Sequence, residues 1–167
     1  MSTKVERNYL EINSLKDLKR SKFSPDDCLI DLSDPADFQI NKFFYKSIGK
    51  EHRWTDRLVW TDKQWIEYIS DQKVKTYILK KANDIAGYFE LIFHKEKKET
   101  EIAYLGLLEE YQNKKLGSFL LTSAIKNSFL NNTKRVWVHT CSLDHKHALN
   151  NYISRGMKIF KTETLNI

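Results

Sequence analysis

Cysteine is nearly absent: Cys28 and Cys141 are the only two in 167 residues, and they form no CxxC. They can close at most one bridge, so neither a disulfide framework nor a structural zinc site is indicated. Proline and glycine are also sparse, at two and five residues. That excludes a Pro/Gly/Ser linker and leaves these residues as punctuation between elements. No internal repeat or low-complexity tract is present. No apolar run approaches the roughly 18 residues of a spanning helix, and the polar start MSTKVERNYLE lacks the apolar stretch of a secretory signal. A cytoplasmic protein with no membrane partner is therefore expected. An excess of one charge is missing too: 28 Lys and Arg stand against 22 Asp and Glu. They interleave, as in HKEKKETE at 94–101, so the net charge of +6 arises without a basic block and a nucleic-acid partner is not expected.

What is present is core material. Hydrophobic residues make up 41% of the chain and aromatics 13%, enough to offset the entropy of ordering one core, and a single domain over residues 1–167 is expected. Pro35 after Ser33 and Asp34 fits the first turn of a helix with an acidic cap, and Phe38, Asn41, Tyr45 and Ile48 follow at helical spacing until Gly49. Thr61 and Gln64 have capping-box spacing and Trp60 and Trp65 that of a hydrophobic staple, which predicts a second helix over 62–70 with Trp65, Ile66 and Ile69 inward. Strands over 75–79, 85–93 and 101–107, joined by short polar connections, read as an antiparallel meander. A helix over 116–130 turns Leu116, Phe119, Leu120, Ala124 and Ile125 inward, and a strand over 135–141, a helix over 145–154 and a strand over 157–160 follow. This order implies one α/β sheet covered by helices, antiparallel in its front half, with at least one parallel neighbour late in the chain.

The segment IAYLGLLEEYQNKKLGSFLL runs strand, polar loop, helix. A loop entering a helix exposes unpaired N–H groups and the positive end of the helix dipole, and Gly117 permits close approach of an anion. Neither GxxxxGK[ST] nor GxGxxG occurs, which excludes a P-loop and a dinucleotide fingerprint. The run Gln112-Asn113-Lys114-Lys115-Leu116-Gly117 resembles the [RQ]-x-x-G-x-[GA] signature of the GNAT superfamily of acetyl-CoA-dependent N-acetyltransferases, with Lys115 at the middle glycine. A lysine there must avoid a strained positive φ, while its ammonium can help hold a pyrophosphate. Downstream, ALNNYISRGMKIF is similar to the superfamily's A-x-x-x-Y-x-x-x-G-F ending, with Met157 for Phe. YLGL, KLG, RVWVHTCSLDH and HRWTDRL are similar to a bacterial branch of small GNAT proteins. The resemblance covers about residues 45–163.

That resemblance implies a mixed, mainly antiparallel sheet with helices on both faces, in which 101–107 and 135–141 are parallel strands that splay apart. Acetyl-CoA, the acetyl donor, would lie in the gap against Leu107, Gln112, Asn113, Lys114, Lys115, Leu116, Gly117, Ser118 and His145. Gly106 suits a bulge that opens the gap, or equally a tight spot in a buried strand. The implied reaction is direct transfer to a primary amine of a small molecule or peptide, which needs a base and an acid. Glu90 and Glu101 qualify as bases. If the hairpin pairs Glu90 near Ala103, alternation puts both on one face as diagonal neighbours, and repulsion raises one pKa; a solvated strand carboxylate is the alternative for each. The superfamily takes the acid from the helix tyrosine, here Tyr152, whose phenol is protonated at neutral pH; a packed core aromatic is the alternative. Tyr45, Trp54 and Arg57, with His52 and Trp60, fall where the superfamily shapes its acceptor pocket, although a second core layer also explains the tryptophans. The strand of His139 would face cofactor and substrate, which puts His139 among the acceptor-binding residues, as a second proton shuttle or merely a packed histidine. It is spaced with Cys141, His145 and His147 as a metal cluster could be, but no metal is expected, and a homodimer is left open. Two other classes stay open: a catalytically silent CoA-sensing or scaffold module, and a nucleic-acid-associated acetylator with a contiguous basic surface.

Overall fold

A computed structural model describes residues 2–167. Among these, strands β1 (Lys4–Ile12), β2 (Cys28–Leu32), β3 (Val74–Lys81), β4 (Asp84–His94), β5 (Glu99–Leu107), β6 (Arg135–Cys141) and β7 (Lys158–Asn166) form one sheet in the order β2-β3-β4-β5-β6-β1-β7. Four α-helices flank it: α1 (Phe38–Gly49), α2 (Asp62–Ile69), α3 (Leu116–Ser128) and α4 (Ala148–Ser154). Every neighbouring pair is antiparallel except β5 and β6, which run parallel. No helix among the described residues is long and apolar enough to cross a membrane.

Strand alternation sorts the core onto two faces. Leu79, Phe89, Leu91 and Ile102 pack with Leu116, Leu120, Leu121, Ala124 and Ile125 of α3. Ile78 and Tyr88 point the other way, against Phe44 and Ile48 of α1, and Tyr45, Trp65, Ile69 and Val74 join α1, α2 and β3. With both faces covered, β4 reads as a nearly continuous apolar run, and β3 is buried without a break from Thr76 to Leu79.

The capping box forms as the spacing predicts: the Thr61 amide donates to Gln64 Oε1 at 2.8 Å and the Gln64 amide to Thr61 Oγ1 at 3.3 Å. The Trp60 and Trp65 rings meet at 5.0 Å. Ile66, expected inward, is exposed. Helix α1 starts at Phe38 because Asp37, not the Ser33–Asp34 pair, accepts from the Gln39 and Ile40 amides; Pro35 lies in the bend before it. Helix α4 starts at Ala148, so His145 belongs to the preceding turn. Strands β1 and β2 have no counterpart in the expectation, and β1 inserts between β6 and β7.

Candidate active site

The parallel ladder joins Glu99, Thr100 and Glu101 to Arg135, Val136 and Trp137 and ends there. Beyond it β5 and β6 part, and a cleft of about 1430 Å³ opens between them. That exceeds the roughly 300–1,000 Å³ that suits one small ligand, and leaves room for two reactants. A register shift after Glu90 leaves Ala103 unpaired on β5. This bulge, rather than Gly106, disturbs the strand beside the gap. Gly106 instead admits α1: a Cβ there would lie 2.8 Å from Ile48 Cγ2.

One end of the cleft is the entry to α3. Asn113 and Lys115 have φ values of 61° and 63°, and Lys115 is the N-cap of α3, whose first turn no side chain caps. Its amides are therefore free to face an anion. The expectation that Lys115 avoids positive φ is wrong. The lysine takes the left-handed conformation of the glycine it replaces, at a cost of about 1–2 kcal/mol. Gln112 Nε2 donates to the Leu107 carbonyl at 3.3 Å, and Asn151 Nδ2 of α4 to the Gly117 carbonyl at 3.0 Å, which ties the loop to β5 and α4.

The other end is walled by the α1–α2 loop. Arg57, 6% exposed, forks onto Glu90, 0% exposed, with both N···O distances 2.8 Å. The Tyr68 hydroxyl also donates to Glu90 at 2.7 Å and Asn41 Nδ2 at 3.0 Å. Rings of Tyr45, Trp60, Trp65, Tyr68 and Tyr104 surround the guanidinium at 4.3–5.7 Å. Burial alone would pull the pKa of Arg57 down, but the Glu90 carboxylate outweighs it and the pKa is raised. Across the loop, His52 Nδ1 donates to the Leu143 carbonyl at 3.1 Å and bridges to the turn after β6.

Glu101, His139, Cys141, Tyr152 and His145 all line the same cleft. Glu101 is partly buried, with its Oε1 3.1 Å from His94 Nε2. His139 opens onto solvent but is surrounded by protein, and that desolvation, followed by the charge of Arg7, holds its pKa below the ordinary histidine value. It is neutral at pH 7. Burial, then Asp144, pushes the Tyr152 phenol well above its ordinary pKa, so it keeps its proton. The same two causes raise the Cys141 thiol, which makes it a poor nucleophile.

A model of the acetyltransferase (GNAT) family matches residues 38–157. The chain belongs to the GNAT acetyltransferase family. Comparison with curated proteins gives no match. Among solved structures, a GCN5-related N-acetyltransferase from Sphaerobacter thermophilus is similar with a TM-score of 0.74 and 12% identity, over 99% of this chain and 52% of that one. Another from Kribbella flavida gives 0.68 and 14%, over 96% and 56%. An aminoglycoside acetyltransferase from an uncultured soil metagenomic sample, in complex with sisomicin, gives 0.65 and 13%, over 77% and 87%. At such identities the likeness is one of fold, and this chain spans about half the length of the first two.

The observed sheet, mainly antiparallel with one parallel pair and helices on both faces, is the GNAT architecture the resemblance implies. Of the residues expected at the GNAT cofactor, Leu107, Gln112, Asn113, Lys115, Gly117, Ser118 and His145 line the cleft. Lys114 does not, its ammonium lying over the Tyr111 ring at 5.8 Å, and the Leu116 side chain is buried in the core, which leaves only its amide for a ligand. Of the expected acceptor residues, Trp54, Arg57 and His139 line the cleft. Tyr45 stands behind the wall, fully buried, accepting from the Arg57 amide at 3.0 Å. Glu90 and Glu101 are diagonal neighbours, but through the pairs Glu90↔Tyr104 and Ile92↔Glu101 rather than through Ala103. Arg57 neutralises Glu90, which does not line the cleft, so the expected repulsion between two free carboxylates is absent. Sequence reasoning missed Arg7 of β1, whose Nε is buried without a partner. It also missed residues 19–23, which line the α3 end. No local signal marked either one.

Proposed function

We propose that this GNAT protein is an N-acetyltransferase that moves the acetyl group of acetyl-CoA directly to a primary amine of a small molecule or peptide. One observation carries the reading: a single cleft joins the uncapped start of α3 to Glu101, His139 and Tyr152. Acetyl-CoA supplies the activated thioester. The residues present fit it, because the α3 amides and Lys115 suit a pyrophosphate and the ladder-free stretches of β5 and β6 suit the amides of pantetheine.

Transfer forms a bond from the amine nitrogen to the acetyl carbon and breaks the carbon–sulfur bond, so one proton leaves nitrogen and one reaches sulfur. Glu101, oriented by His94, takes the first proton, and neutral His139 is the second acceptor on that wall. Tyr152, protonated and on α4, supplies the second. Glu90 is no longer assigned as base: it positions Arg57, and with it the wall that carries Trp54. Retention of all three proton-moving groups in the cleft favours turnover over a silent CoA-binding module. The test is thiol release from acetyl-CoA over a panel of amines, amino acids, polyamines and peptides, with acetylated product identified by mass. Saturable turnover with one acceptor class supports the reading; acetyl-CoA binding without turnover across the panel would leave the silent module in its place.

A further inference from the structure

Residues 19–23, Lys-Arg-Ser-Lys-Phe, lie upstream of the span 38–157 that the family model covers, yet they form part of the cleft wall. Three contacts pin this strap. The Lys19 amide donates to the Arg155 carbonyl at 2.9 Å, the Ser21 amide to Thr122 Oγ1 at 3.0 Å, and the Ser21 and Ser118 hydroxyls meet at 2.8 Å. The last places the strap within one hydrogen bond of the first turn of α3. Gly156 secures its approach, since a Cβ there would run into the Asp17 carbonyl oxygen.

The strap brings charge that nothing in the protein uses. Lys19, Arg20 and Lys22 are exposed, line the cleft and enter no ion pair among the described residues. Arg155, on the same rim, has a buried Nε without a partner. The cleft's carboxylates lie elsewhere: Asp56 and Glu101 on the acceptor wall, and Asp144 in the turn after β6, where it accepts from Thr140 and the Cys141 amide. Phe23 adds an exposed ring beside the cations. Four unpaired cations and an open aromatic face beside a site already suited to a pyrophosphate fit a nucleotide with one more phosphate.

We propose that residues 19–23 build a subsite for the nucleotide end of CoA, in which Lys19, Arg20, Lys22 and Arg155 take the 3′-phosphate and Phe23 stacks on the adenine. This rests on the reading that acetyl-CoA occupies the cleft, and it adds the strap, which lies outside the span of the family model, to the loop that enters α3. The experiment is calorimetric titration of the full chain with acetyl-CoA and with its 3′-dephospho form, repeated on the variant Lys19→Ala/Arg20→Ala/Lys22→Ala. These side chains are exposed and unpaired, so an unchanged circular dichroism spectrum and melting temperature are expected. The intact chain should prefer acetyl-CoA by about tenfold, the effect of one to two charge-assisted contacts. The variant should lose that preference and bind the dephospho form as the intact chain does. Phe23→Ala should weaken both forms a few-fold without altering their ratio. Equal binding of the two forms by the intact chain, or a preference that survives in the triple variant, would overturn the subsite alone. Absence of binding by either form would overturn the acetyl-CoA reading beneath it.

Discussion

At the α3 end the cleft is lined by backbone amides and exposed cations, whereas the end beside the α1–α2 loop is walled by side chains locked to one another. The first kind of site recognises charge with little demand on geometry. Lys19, Arg20, Lys22 and Lys115 there are exposed, and losing one leaves no buried group orphaned. The second works through geometry. Arg57 and Glu90 are both buried, and removing either leaves an uncompensated charge among five aromatic rings. Substitutions at the α3 end should therefore give graded losses of affinity, and those in the Arg57 network should cost stability and shape together.

The sharpest break in this comparison is Glu90→Gln. It should lower unfolding stability by about 3–5 kcal/mol, the cost of stranding a buried partner, read as a drop in denaturant midpoint at constant slope. Tyr68→Phe, which removes a hydroxyl that donates to the same carboxylate and accepts from Arg57, should cost less, about 2 kcal/mol. A Glu90 variant as stable as the intact chain would mean the wall is not held by this pair.

Next in size is Tyr152→Phe, between the two ends. The ring stays in its packing while the proton is lost, so turnover should fall at least about tenfold with acetyl-CoA affinity nearly unchanged. An unimpaired rate would reduce Tyr152 to packing.

The base can be identified by pH. A base works only when deprotonated, so the rate rises with pH through its pKa and falls below it. If Glu101 carries the proton, Glu101→Gln removes the acidic limb and His139→Gln preserves it. His139, with its lowered pKa, would place that limb below the range of an ordinary histidine. A limb that persists in Glu101→Gln and vanishes in His139→Gln would transfer the assignment to the histidine.

The smallest effect belongs to Lys115→Gly. It relieves a left-handed lysine and should raise stability by up to about 1 kcal/mol, once glycine's own entropy cost is counted. Removing the ammonium should weaken acetyl-CoA less than tenfold. A melting temperature that does not rise would show that the loop relaxes around the lysine at no cost.

The parts of the molecule written in local signals were the legible ones. Thr61, Gln64, Trp60 and Trp65 announce α2 within six residues, and the strand–loop–helix around Gly117 and the helix ending at Gly156 carry their own punctuation. Strand β1 was illegible because Val5 is buried on one face and Leu10 and Ile12 on the other, so no alternation shows. With it went Arg7. Strand β2 is a short edge with exposed Leu29 and Leu32 and no buried stripe to detect. The bulge at Ala103 shifts register without leaving any mark in composition. The Arg57–Glu90 pair joins residues 33 positions apart, and its one local sign was a glutamate inside the apolar run GYFELIF, where a carboxylate demands a partner.

The central claim is direct transfer from acetyl-CoA to an amine across this cleft. Its most direct measurement is a single-turnover mixture of protein, acetyl-CoA and an accepted amine, with free thiol, acetylated amine and intact protein mass followed together. Direct transfer predicts one thiol released per acetylated amine and an unmodified protein throughout, in keeping with the raised pKa of Cys141. An acetylated protein that then passes its acetyl group to the amine, or thiol released without acetylated product, would contradict it.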